Sequence, residues 1–271
     1  MEQFFILPEP VMAIRSKYYI GVLLHRLGVK RVGHIPSALD RLAGVEWHES
    51  YDRYRCDFYR YRKGENIKNA GLEKSIDEIL PGTARILHHP IWSILSKYIT
   101  EKEELIQLAQ GVEPGLQQYI LKHDESTRDL VFRDYSGRGR ILRAGSPFLQ
   151  MIDRRGLDEL AALLLIMRAH ELRGAYSVSR AVRETITEFF AEISLMEEFS
   201  LVVAEMYMQV HRLFIGNTYK NPSKDDGLYD YVQAIGSVYL EHMLDVIERL
   251  GKRRMNHNGE YSYILRGKRQ Q

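Results

Sequence analysis

The chain has 271 residues, 45% of them hydrophobic, so it can bury a real core as one large domain or two small ones. Its net charge of +2 excludes a globally basic nucleic-acid binder, and any such role must rest on local patches. The sole cysteine, Cys56, excludes an intrachain disulfide and a multi-cysteine zinc site within one chain, and suits a reducing cytoplasm. The longest apolar run, Leu160 to Met167, is far short of the ~18 residues a membrane helix needs. The opening MEQFFILPEP, with an acid at position 2 and two early prolines, is unlike a signal peptide.

Prolines punctuate the chain densely up to Pro147 and are absent from Phe148 to Asn221. This predicts a segmented N-terminal half and a long-helix C-terminal half. The expected divisions are an N-terminal unit over 1–90, connecting helices and a basic loop over 91–150, a helical bundle over 151–251 and a basic tail over 252–271.

A first helix is expected over residues 11–27, stopped by Gly28. Ser37 and Asp40, three apart, form a loose capping box for a short helix carrying Ala38, Leu39, Leu42 and Ala43 and ended by Gly44. The stretch from Tyr51 to Glu65, YDRYRCDFYRYRKGE, is the most unusual in the chain. Trp47, Tyr51, Tyr54, Phe58 and Tyr61 are spaced four, three, four and three, which is one face of a helix ending at Lys63, with Gly64 in the left-handed position beyond it. Arg53, Arg55, Arg60, Arg62 and Lys63 then form a solvated flank or a phosphate-contacting face. A further helix around Leu72 to Leu80 is closed by Pro81-Gly82.

Thr100, followed by Glu103, marks a helix N-terminus, and another helical piece covers Gly111 to Leu121. From Arg128 to Arg143, Leu130-Val131-Phe132 and Ile141-Leu142 flank Tyr135-Ser136-Gly137-Arg138-Gly139, which reads as a small hairpin or an exposed loop. Its arginines, Arg138 and Arg140 among them, make a second basic patch, suited to phosphate or to solvent. Leu157 to Leu172 is apolar on most faces and is expected to be a buried central helix, ended by Gly174. Residues 177–215 form one very long helix or two with a break near Ser194 to Ser200, and Leu228 to Leu250 gives the last helix.

Residues Ala38 to Val45, ALDRLAGV, resemble the second helix and glycine turn of the Cro/repressor helix-turn-helix family. Tyr59 to Glu65, YRYRKGE, looks like the end of that family's recognition helix, and the helix that follows matches its order. The resemblance covers roughly 37–82, with 20 positions from Gly44 to Gly64, more than is usual in the family. Either the recognition helix is longer or the turn carries an insertion. The resemblance implies a helix entering the major groove, with Arg53, Arg55, Tyr59 and Arg60 toward base edges and Arg62 and Lys63 near phosphates.

Catalytic patterns are sparse. Glu184, Glu188 and Glu192 lie four apart, but the Glu-x-x-His partner that a bundle metal site needs occurs nowhere. His123-Asp124, with His88 or His89 upstream, is similar to the dipeptide of HD-type phosphohydrolases. Arg41 and His48 resemble the Arg-to-His spacing of HEPN ribonucleases, with Leu42 where that family usually has a polar residue. Walker, dinucleotide, zinc-protease and nucleophile-elbow motifs are missing from the sequence. The expectation is an all-α fold with at most a small hairpin near 128–143, a divergent helix-turn-helix unit and a C-terminal bundle. Its expected role is a non-enzymatic cytoplasmic DNA-binding regulator, needing no cofactor or metal and favouring duplex DNA. The bundle would take a protein partner or form a homodimer, with no membrane association. The alternatives are a HEPN-like ribonuclease using Arg41 and His48, and an assembly subunit that touches no nucleic acid.

Overall fold

Helix α1 (Glu9–Arg26) carries two apolar stripes rather than one. Val11, Ile14, Tyr18 and Val22 recur every three or four residues and enter one core. Tyr19, Ile20 and Leu23, with Leu27 just past the helix, enter a second. A helix apolar on two sides must be sandwiched, so α1 is the partition between the two clusters. The computed structural model describes residues 9–44, 51–135 and 147–215.

The smaller core is built from α2 (Ile35–Ala43), α3 (Arg55–Arg62), α4 (Ala70–Ile79) and α5 (Thr83–Leu87). Ile35, Leu39, Phe58, Tyr61, Leu72, Ile76 and Leu87 fill it against α1. Gly44 and Gly64 both sit in the left-handed region, at φ 63° and 97°, the second as the sequence predicts. Gly64 has a second reason to lack a side chain, because a β-carbon there would meet that of Ala13 at 2.8 Å. The helix expected from the Trp47–Tyr61 spacing is shorter than its pattern. Residues Tyr51–Tyr54 form a 3-10 turn and the α-helix starts at Arg55. Tyr51 is tied at both ends, since its N–H donates to Asp40 Oδ1 at 2.6 Å and its hydroxyl to the Ser75 carbonyl at 3.3 Å. Those ties to α2 and α4 hold the aromatic residue in the tighter turn.

The larger core surrounds α10 (Leu157–Leu172), whose residues from Leu160 to Met167 are all buried. Packed against it are α6 (Ile91–Ile94), α7 (Lys102–Gln110), α8 (Pro114–Ile120), α9 (Pro147–Arg154) and α11 (Tyr176–Ile193). Helix α11 offers Val178, Val182, Ile186, Phe189 and Ile193, one stripe at spacings of four and three. The chain then breaks, turns at Glu197–Phe199 and resumes as α12 (Val203–Val210), so the two-helix alternative is the observed one.

The fold is mostly helical, with one two-stranded antiparallel sheet among the described residues. No helix among them is long and apolar enough to cross a membrane. The small sheet is an antiparallel hairpin in which strand β2 (Leu130–Phe132) pairs with β1 (Leu121–His123), Leu121 opposite Phe132; Ile141-Leu142 lie outside the described residues. Asp124 makes this turn, its Oδ1 accepting the N–H groups of Ser126 at 2.9 Å and Thr127 at 3.1 Å. The Ser126 hydroxyl, with these bonds, holds the Asp124 carboxyl down at about 2. His123-Asp124 is thus a turn device. Thr100 is a correction: Glu101 holds the N-cap position of α7, and no side chain caps it. The expected helix over 228–250 and the basic tail lie outside the described residues.

Candidate nucleic-acid interface

Burial of Phe58 and Tyr61 fixes the orientation of α3. With that side inward, Arg55, Tyr59, Arg62 and Lys63 neighbour one another on the exposed surface, Tyr59 being four residues from Arg55 and from Lys63 and three from Arg62. Tyr59 stands among them 45% exposed, and the three cations are exposed as well. Arg60 is exposed on the same helix and Arg53 is exposed on the preceding turn.

The cations differ in what they already hold. Arg55 pairs with Asp52, its Nε donating to Oδ1 at 2.6 Å. Arg60 is engaged by Glu65 at 2.7 and 2.8 Å and by Asp57 at 3.6 Å. The bond to Glu65 raises the Arg60 pKa and lowers that of Glu65. The Arg53 guanidinium lies over the Tyr54 ring, 4.7 Å from its centroid. Among the described residues, neither Arg62 nor Lys63 has a carboxylate within ion-pair distance. Solvent-exposed pairs such as Arg55–Asp52 contribute only about 0–1 kcal/mol, so a phosphate can displace the carboxylate.

The fold adds residues that sequence reasoning missed. A β-carbon at Gly33 would lie 2.8 Å from the Tyr59 hydroxyl, so the phenol reaches across this glycine. Gly33 sits in a 3-10 turn, Val32–His34, that packs on α3. Lys30, Arg31 and His34, all exposed, thereby come to the edge of the α3 face. A signal was present in the sequence: no Asp or Glu occurs between Glu9 and Asp40. What the sequence did not show is that this acid-free stretch folds against Tyr59.

Arg41 is exposed on α2, while His48, its ribonuclease partner, lies outside the described residues with Trp47. Arg138 and Arg140 lie outside them too, as do the side chains of Glu184 and Glu188. Glu192 pairs with Arg155 at 3.0 Å. Of the adjacent histidines, His88 is exposed and bonded to Glu73 at 2.6 Å, whereas His89 is buried. Among the described residues no group of three His, Cys, Asp or Glu side chains could hold a metal ion. No protein-family model matches this chain, and no curated protein or solved structure is significantly similar to it.

Proposed function

We propose that the chain contacts nucleic acid without catalysis, with Tyr59 at the centre of the contact and Arg62, Lys63, Arg55 and Arg31 around it. The observation that carries this reading is the exposed Tyr59 ring, set across Gly33 between the cationic face of α3 and the acid-free stretch before α2. Lysine and arginine at such a face neutralise phosphates, and an exposed aromatic ring offers a stacking surface for a base. Duplex DNA is the favoured target, because α2, the left-handed Gly44 and α3 follow the helix, turn and helix order of a major-groove reader. Arg55 and Arg60 are held by carboxylates, so positioning on phosphates rests first on Arg62 and Lys63.

The test is a salt titration of binding to duplex and to single-stranded DNA of equal length, with the full chain. Reversal of both Arg62 and Lys63 to Glu is expected to weaken binding and flatten the salt slope by about one unit per lost phosphate contact. Tyr59→Ala is expected to weaken single-strand binding more than duplex binding. Binding indifferent to the double reversal would refute the interface.

The bundle offers a separate surface for a protein partner or a second copy. Leu172 and Tyr176, 41% and 63% exposed, stand together at the α10–α11 turn. Sedimentation of the chain with and without Leu172→Glu tests this surface, and an unchanged oligomeric state would dismiss the second-copy reading.

A further inference from the structure

Helix α3 and the Val32–His34 turn pack side by side, and the Tyr59 side chain runs from the first to the second. A β-carbon at Gly33 would lie 2.8 Å from the phenol oxygen and 3.7 Å from Cζ. The hydroxyl end of the ring therefore rests on the backbone of the turn. Its root is fixed by α3, which buried Phe58 and Tyr61 hold in place. A ring held at both ends lies along the surface rather than standing away from it. At 45% exposure, Tyr59 turns a ring face to solvent and not only a tip.

A flat aromatic face is a platform for a base, and stacking on it needs a base with one face uncovered. Inside a duplex each base is covered on both sides by its neighbours, so a paired interior base cannot lie on Tyr59. A ring that lies along the surface is also badly placed to wedge between stacked pairs. The cations around it make a different demand. Arg62 and Lys63 on α3, and Lys30 and Arg31 before the turn, are exposed, and they stand on both of the elements that the ring bridges. Such groups neutralise phosphates without regard to base identity. Building on the nucleic-acid reading of this face, we infer that its preferred target is the junction between a duplex and a single-stranded overhang. The cations hold the duplex phosphates, and the first unpaired base lies on Tyr59. Gly33 is the positioning residue, because a side chain there would lift the ring off the turn.

The experiment measures binding of the full chain, at one salt concentration, to three DNA probes matched in number of phosphates: a blunt duplex, a single strand and a duplex with a single-stranded overhang. The overhang probe is expected to bind tightest, by roughly tenfold over the blunt duplex, the worth of one stacked base. Tyr59→Ala should remove that preference, lowering overhang binding more than blunt-duplex binding, whereas Tyr59→Phe should keep it. The backbone at Gly33 is not left-handed, and the atom that a methyl group there would meet is the far end of a side chain. Gly33→Ala therefore shifts the ring without straining the fold, and it too should reduce the preference. Equal affinity for the three probes, or a preference that survives Tyr59→Ala, would overturn the junction while leaving the cationic face as a binding site. Tightest binding to the single strand would overturn it as well, since no duplex would then be needed. Binding to none of the three would overturn the nucleic-acid reading itself, and the junction with it.

Discussion

The β-carbon that Gly21 lacks would stand 3.1 Å from the carbonyl carbon of Glu198, and closer still to its oxygen. Glycine in a helix interior costs about 1 kcal/mol relative to alanine, so its presence in the middle of α1 needs a reason. The reason is backbone-to-backbone packing: α1 lies directly on the Glu197–Phe199 turn, with Tyr18 and Phe199 rings 4.8 Å apart beside it. Gly21→Ala gains helix propensity but forces that turn away. A net loss of roughly 1–3 kcal/mol is expected, the range for overpacking in a tight site. Urea unfolding followed by circular dichroism measures it, and a variant as stable as the parent would mean that the turn can yield without cost.

Arg168 and Glu171, both nearly sealed from solvent, pair at 2.8 Å across one turn of α10. Arg168 also donates to the Ile99 carbonyl at 2.6 Å and to the Tyr98 hydroxyl, with its guanidinium 3.3 Å from the centroid of the Tyr98 ring. Glu171 accepts from Ser179 Oγ at 3.0 Å, so the pair links α10 to α11 and to the segment after α6. Removing one charge strands the other in a dry site. Glu171→Leu is expected to destabilise by about 3–5 kcal/mol, whereas joining Arg168→Met to it should recover part of the loss, since Arg183, 3.7 Å from Glu171, also loses this partner. The double-mutant cycle in urea decides between this and a pair that is stabilising in itself, for which the double variant would remain as weak as the single one.

How much of this was legible beforehand depends on sequence distance. Helix α10 was readable because eight consecutive apolar residues leave no polar face to expose. Gly44 and Gly64 were readable because a helix that stops at glycine commonly turns left-handed there. Phe58 and Tyr61 pointed inward as their spacing requires. The pairing of Arg55 with Asp52 was within reach too, three residues apart on one turn. The pairing of strand β2 with β1 was not legible, because apolar segments lie on both sides of β2 and period alone does not choose between them. The contacts of His89 with Asp158 and of Tyr59 with Gly33 span 69 and 26 positions, and only the assembled helices bring them together.

His170, 1% exposed, is held as a neutral ring in one tautomer. The Tyr135 N–H donates to its Nε2 at 3.1 Å, so the proton is on Nδ1, which donates to the Ile166 carbonyl at 2.8 Å. Burial lowers its pKa and the nearby Arg173 charge adds to this, while the Ile166 bond and exposed Asp134, 3.8 Å away, oppose it. His211 is lowered as well, by burial and then by Arg183. A histidine whose folded pKa lies below its unfolded value of about 6.5 is protonated first in the unfolded chain. Its stabilising contribution is therefore complete above that pH and is lost as pH falls toward the folded value. The slope cannot exceed about 1.4 kcal/mol per pH unit for each histidine. Urea midpoints taken from pH 8 to pH 5, about 1.5 units on either side of that unfolded value, are expected to fall on the acid side, and His170→Asn, which keeps a donor toward Ile166, should flatten the decline while lowering the plateau. A profile equally steep in the variant would assign the acid sensitivity to other groups, His211 first, whose pKa burial also lowers.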